Sequence, residues 1–134
     1  MTASGSTLRV GFISAGFSAR LHADAYHQVR GVDVALTRVA AARPERAARF
    51  AGEFGVGAVA ASTEEVLAAA DVDVVDLGVP TSLHALLAIK AARAGKHVIV
   101  EKPLTGCFAP AATPRAEMLR RALASGDEII DACR

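Results

Sequence analysis

Leu8-Arg9-Val10-Gly11-Phe12-Ile13-Ser14-Ala15-Gly16-Phe17-Ser18-Ala19 is the stretch on which the fold turns. Its first six residues are mostly apolar and read as a strand. Small residues follow at once, and a helical segment then runs to about Val29, with Leu21, Ala25 and Val29 on one face. Strand, tight small-residue turn and helix together form the phosphate-binding unit of a dinucleotide fold. The helix start offers free backbone N–H groups and a positive dipole end to a pyrophosphate. Gly16 lets the backbone approach the phosphate, and Ala19 lets the helix lie close to the strand. Ser14 stands where the first glycine of such a turn is expected. Ser14, Ala15, Gly16 and Phe17 are therefore cofactor-binding candidates. An ordinary tight turn between strand and helix would use the same small residues.

Near the other end lies His97-Val98-Ile99-Val100-Glu101-Lys102-Pro103. The apolar, β-branched part reads as a strand buried on both faces. It stops on a carboxylate, an ammonium and a proline. Ligands bind at the carboxyl ends of strands in an open parallel sheet, so this charged turn is a candidate site. The alternative is a solvated strand end closed by a turn proline.

Between these stretches, strands and helices alternate. Val32–Val39 reads as a second strand and Val56–Ala60 as a third. Val72–Leu77 is a fourth, with Asp71 and Asp73 before its core. Pro44 opens a helix whose Ala47, Phe50, Ala51 and Phe54 share one face. Ser62-Thr63-Glu64-Glu65 reads as a capping box. Ser82–Ala94 reads as a helix with Leu83, Leu86, Leu87, Ala91 and Ala94 inward. Arg115–Ala132 reads as a last helix carrying Leu119, Ala122, Leu123 and Ile130, with Ser125-Gly126 as a place for a kink. Such alternation predicts an α/β fold, a doubly wound parallel sheet.

Three patches resemble the N-terminal domain of the Gfo/Idh/MocA family. They are V-G-F-I-S-A-G-F-S-A at 10–19, V-P-T-S-L-H at 79–84 and A-G-K-H-V-I-V-E-K-P at 94–103. The second departs from the family's usual T-P-N-x-x-H, with Thr81 in place of the asparagine. The resemblance runs from about Leu8 to the end of the chain. It implies a dinucleotide-binding, Rossmann-like domain at residues 8–134, preceded by a loose leader at residues 1–7. It also implies NAD(P)-dependent hydride transfer on sugars, polyols and similar alcohols, and a second, substrate-binding domain outside these 134 residues. With the right-handed crossover rule it gives the strand order 3-2-1-4-5.

The resemblance implies that Lys102 contacts substrate and nicotinamide, and Lys102 is the candidate for chemistry. Removing a hydride from an alcohol requires a group that takes or stabilises the hydroxyl proton, and a lysine can do either. Glu101 would orient Lys102 or hydrogen-bond the cofactor, and Pro103 would fix the turn. Val79, Pro80 and Thr81 form the loop after the fourth strand, beside the cofactor. His84 is either a cofactor contact or a capping and packing residue. His22, His27 and His97 show no partner pattern and read as structural, and Tyr26 reads as helix packing. After the second strand, Val39-Ala40-Ala41-Ala42-Arg43 lacks the acid that NAD enzymes often place on the ribose. Ala41 would line that pocket, and Arg43 would meet a 2′-phosphate or stand solvated at a helix start. NAD or NADP is the expected cofactor, with a lean to NADP.

At 134 residues the chain is one domain, and its 52% hydrophobic content is rich in alanine, which packs helices closely on a sheet. A net charge of +1 without a basic tract argues against nucleic acid or an anionic membrane as partner. No apolar run approaches the ~18 residues of a membrane span. Cys107 and Cys133 fit no metal spacing, and with no export signal they suggest a cytoplasmic protein. The strand that would follow Ala132 is outside these residues, which leaves Val98-Ile99-Val100 as an open edge and predicts a homo-oligomer, unless Leu104–Pro114 covers it. The small-molecule substrate class is that of sugars and polyols. The competing readings are a non-catalytic dinucleotide-binding sensor or scaffold, and a fragment with no role of its own.

Overall fold

A computed structural model describes residues 7–134. Of the leader expected at residues 1–7, all but Thr7 lies outside the described residues. β1 (Leu8–Ile13) is the central strand. It pairs in parallel with β2 (Val34–Ala40) on one side and β4 (Val74–Leu77) on the other. β3 (Ala58–Val59) flanks β2, and β5 (His97–Val100) flanks β4, so the order is β3-β2-β1-β4-β5, as expected. The connecting helices are α1 (Phe17–Tyr26), α2 (Pro44–Phe54), α3 (Thr63–Ala68) and α4 (His84–Arg93), and α5 (Arg115–Ala132) follows β5. Among the described residues, no helix is long and apolar enough to cross a membrane.

Alternation along β1 divides the interior. Val10 and Phe12 join Ala19, Ala23, Ala47, Phe50 and Phe54 under α1 and α2. Phe50 lies edge-on to Phe12 at 5.1 Å and tilted on Phe54 at 4.8 Å. Ile13 faces the other way, into a core with Val66, Val75, Leu77, Leu87, Ala88, Ala91 and Ile129. Gly11 faces that side too. A Cβ there would lie 2.8 Å from Val66 Cγ1, so the glycine is what lets α3 press onto the central strand.

The elements stand where expected; β1, β5 and α5 have the expected bounds, and others are shorter. β2 starts at Val34 instead of Val32, β3 pairs only at Ala58–Val59, and β4 starts at Val74. Val56 N–H and Val72 N–H donate to Ala51 and Ala69 carbonyls instead, closing the preceding helices. The capping box is present: Glu65 N–H donates to Ser62 Oγ at 3.1 Å, and the Glu65 carboxylate takes Ala61 N–H at 2.8 Å.

Three apolar faces differ from expectation. α1 ends at Tyr26 and buries Ala19 and Ala23, leaving Leu21 and Val29 exposed. Helix and sheet approach so closely that alanine, not leucine, fits between them. Leu83 and Leu86 are exposed because Thr81–Leu83 forms a 3-10 turn before α4. Its tighter winding resets the phase, and α4 buries His84, Leu87, Ala88 and Ala91. On α5, Leu119, Leu123 and Ile130 are exposed and Ile129 is buried. The Ser125-Gly126 pair does not interrupt this helix. It is the contact face, where Ser125 Oγ accepts from Thr105 Oγ1 at 2.8 Å and Thr105 approaches Gly126.

Candidate functional site

The turn after β1 is built around Ser14, whose φ of +126° is a conformation that favours glycine. Ser14 N–H donates to the Ala40 carbonyl at 2.8 Å, and Ser14 Oγ accepts from Gly16 N–H at 3.1 Å. α1 then opens with Gly16 as its cap residue and no side-chain cap. Arg20 N–H to the Gly16 carbonyl is a first-turn bond, so the amides of residues 17–19 have no helical acceptor. Gly78, at the end of β4, holds this first turn close. A Cβ on Gly78 would lie 3.0 Å from Ser18 Oγ and 3.2 Å from Ala19 N. Gly78 was not singled out from the sequence; a glycine directly after a buried strand was the available signal.

A crevice of about 540 Å³ opens at this carboxyl edge of the sheet. It brings together Ser14, Ala15, Gly16, Ala41, Arg43, Val79 and Pro80. Arg46 and Thr63 also line it, and neither was singled out from sequence. Phe17 stands exposed at the start of α1, outside the crevice lining, and Thr81 begins the 3-10 turn. A larger hollow, about 1230 Å³, lies at the opposite end of the strands, around Leu8, Arg9, Asp73 and Lys96. Arg9, Asp73 and Lys96 are engaged by the fold. Arg9 forks onto Asp73 at 2.6 and 2.9 Å, and Lys96 Nζ donates to the Ala69 and Val72 carbonyls. The Arg9 hydrogen bonds hold the Asp73 carboxyl down at about 2.

Glu101, Lys102 and Pro103 form a turn at the end of β5, and the Lys102–Pro103 peptide is cis. Lys102 is exposed, and its ammonium has no partner among the described residues. Glu101 touches the backbone of Lys102, not its ammonium: Glu101 Oε2 accepts from Lys102 N–H at 3.2 Å. Two histidines flank this turn. His84 is 1% exposed, with Nδ1 2.9 Å from the Pro103 carbonyl and Nε2 3.0 Å from the Val79 carbonyl. Of the two roles open to it, the geometry is that of a packing residue, bracing the β4 loop against the β5 turn.

His22 is the second. Its Nδ1 lies 2.9 Å from both carboxylate oxygens of Asp76, and its Nε2 lies 3.0 Å from Glu101 Oε1. Tyr26 O–H donates to Asp76 Oδ2 at 2.7 Å. The expectation that His22 lacks partners is thus corrected, and Tyr26 is more than helix packing. Burial pulls the His22 pKa down, but the hydrogen bonds and charges of Asp76 and Glu101 outweigh it and raise the pKa above 6.5. Burial, and then Asp76, raise the Tyr26 pKa. Asp76 is fully buried and went unnoticed in the sequence. A carboxylate inside the apolar run Val74-Val75-Asp76-Leu77 must find donors, and that was the signal.

A family model described as an oxidoreductase family with an NAD-binding Rossmann fold matches residues 8–124. Levoglucosan dehydrogenase of Pseudarthrobacter phenanthrenivorans is 38% identical over 109 residues, covering 72% of this chain and 26% of that protein. Inositol 2-dehydrogenase of Rhizobium meliloti is 39% identical over 99 residues, covering 73% of this chain and 28% of that protein. The solved structure of levoglucosan dehydrogenase with NADH superposes with a TM-score of 0.78 at 32% identity, over 95% of this chain and 32% of that one. A 3-ketoreductase from Actinomadura kijaniata, solved with NADP and TDP-benzene, does so with a TM-score of 0.71 at 32% identity, over 92% and 35%. The chain spans about a quarter to a third of the length of these relatives. With five parallel strands in this order and a small-residue turn opening onto free helix amides, the chain belongs to the Gfo/Idh/MocA family of oxidoreductases.

Proposed function

We propose that these residues form the cofactor-binding part of an NAD(P)-dependent oxidoreductase that interconverts a sugar, polyol or similar alcohol with its carbonyl. One observation carries the reading: the Ser14–Gly16 turn and the Val79-Pro80 loop line one crevice at the carboxyl edge of the sheet, beside the point where the strand order reverses, and His84 ties that loop to the Lys102 turn, which itself lies outside the crevice lining. The residues present fit a dinucleotide. The uncapped amides at the start of α1 suit a pyrophosphate, and the crevice beside β2 suits the adenosine half. When bound, the nicotinamide supplies or accepts the hydride. Lys102, with a free ammonium, donates a hydrogen bond to the substrate oxygen and stabilises the charge that develops there. His84 and Glu101 hold the two sides of its turn.

The cofactor reading leans to NADP. No carboxylate follows β2 before Arg43, and Arg43 and Arg46 both border the crevice, one turn apart on the start of α2. Two guanidinium groups there suit a 2′-phosphate. The 134 residues alone are not expected to turn over, because Lys102 stands open to water and no second wall holds an alcohol in near-attack geometry. The free thiols Cys107 and Cys133 suit a reducing compartment such as the cytoplasm.

Calorimetry with NADPH and NADH tests the reading. The parent chain should bind both, NADPH more tightly, and Gly16→Val should abolish binding by placing a branched side chain at the pyrophosphate. Equal binding by parent and Gly16→Val places the site elsewhere. Clear NAD(P)H production by the parent on sugars and polyols contradicts the expected inactivity.

A further inference from the structure

We infer that His22 is a positioning residue for Lys102: from α1 it fastens the Glu101 carboxylate to the buried Asp76 carboxylate, and so fixes the backbone where Lys102 leaves the sheet. The importance of Lys102 rests on the function proposed above; the mechanical link does not.

Asp76 lies in the middle of β4, paired with Phe12 of β1 on one side and Ile99 of β5 on the other. It is fully buried, so it cannot touch a ligand itself, and it takes both its donors, His22 and Tyr26, from α1. Glu101 lies just beyond β5, in the turn that carries Lys102. Among the described residues, only the imidazole connects the two carboxylates. Both ring nitrogens face carboxylate oxygens, which only accept, so both nitrogens must donate. The doubly protonated ring satisfies both carboxylates, and removing one of its protons leaves a ring nitrogen facing a carboxylate without a hydrogen. The remaining oxygen of Glu101 takes the Lys102 amide at 3.2 Å. A continuous chain of hydrogen bonds thus runs from the sheet interior to the backbone of the lysine. The titratable groups facing His22 are Asp76 from β4 and Glu101 from the β5 turn, with Tyr26 of α1 reaching it through Asp76. Arg20, two residues away on α1, is engaged elsewhere, with Glu53.

A residue that merely held α1 on the sheet would show the same contacts, so the test reads the lysine. Amide NMR of the full 134-residue chain follows the Lys102 N–H as pH rises through the His22 titration, itself read from the ring nitrogens. The Lys102 resonance should move with His22 in the parent and should stop doing so in His22→Gln. Glu101→Gln, an exchange at the partly exposed end of the chain of bonds, should uncouple Lys102 while His22 still titrates, and it serves if His22→Gln does not fold. Calorimetry supplies the second arm. In either variant NADPH affinity should fall about three- to tenfold, the value of roughly one hydrogen bond, while adenosine 2′,5′-bisphosphate, which cannot reach Lys102, binds as in the parent. A Lys102 amide indifferent to the His22 titration overturns the proposal, and so does an equal loss for both ligands. If the parent binds neither ligand, the functional reading fails and the NMR arm alone decides the link.

Discussion

Gly78→Ala tests whether the first turn of α1 depends on its approach to the end of β4. The added Cβ would sit 3.0 Å from Ser18 Oγ, 3.2 Å from Ala19 N and 3.3 Å from Ala19 Cβ. Ser18 Oγ can rotate away. The two Ala19 atoms cannot, because one is backbone and the other is fixed to it, and Ala19 is itself fully buried. The helix start must therefore retreat by a few tenths of an ångström. Forcing one methyl into packed structure costs about 1–3 kcal/mol. The stiffer unfolded chain returns roughly 0.4–1 kcal/mol of that. A net loss of about 1–2 kcal/mol should appear in urea unfolding, and as a fall in Tm of about 3–10 °C for a domain of this size. The same retreat misaligns the amides of residues 17–19, and loss of one hydrogen bond to a pyrophosphate weakens NADPH binding by about tenfold. A variant with the parent's unfolding midpoint and the parent's affinity would refute the reasoning, since it would show that the helix start is not held against Gly78.

Gly52→Ala should do the opposite, because it lies inside α2 and the new Cβ would meet nothing within 4 Å beyond the adjoining backbone of its own helix; a gain of about 0.5–1 kcal/mol is expected in urea unfolding. Phe50→Ala should cost about 3–5 kcal/mol by the same measurement, since it empties the junction of Phe12 and Phe54. Asp73 titrates at about 2 when folded and nearer its ordinary 3.8 when unfolded. Its contribution to stability is therefore complete above about pH 5 and is lost as pH falls through 2. The stability gap between parent and Asp73→Asn should be flat from pH 7 to 5 and should close on acidification.

Strand existence was legible because parallel strands leave apolar runs, and the chain has few other places to put them; the strand order came from the family resemblance and the right-handed crossover rule. Val74-Val75 is of that kind; Val98-Ile99-Val100 leaves the same apolar run, but it is the edge strand, with Ile99 exposed and its neighbours half-buried, and not buried on both faces as expected. Helix faces were less legible. Leu21 outranks Ala19 and Ala23 in hydrophobicity, but a helix seated this close to a sheet selects size before hydrophobicity, so the alanines went inward. The 3-10 turn before His84 shifted a phase that a count from Ser82 could not foresee. At the site, the turn around Gly16 and the lysine before Pro103 were legible because their chemistry lies within a few consecutive residues. The His22–Asp76–Glu101 chain was not, because its members are 54 and 79 residues apart and only the sheet brings them together.

The strand order also sets a timetable for a chain emerging from the ribosome. The core beneath α1 and α2 is drawn from Val10 to Val56 with the single addition of Val74, and it carries the Phe12–Phe50–Phe54 cluster. Nearly all of it is present once the first 56 residues have emerged. The other face of β1 has to wait. Its first pairing with β4 joins Val10 to Val74, 64 residues later, and its core reaches to Ile129. At about 5–20 residues per second, that first interval lasts roughly 3–13 s. Loop closure delays the distant pairing further. The aromatic half can thus assemble first and present β1 as a template, so that β4, then β5 and with it the lysine turn, are added to a surface already made.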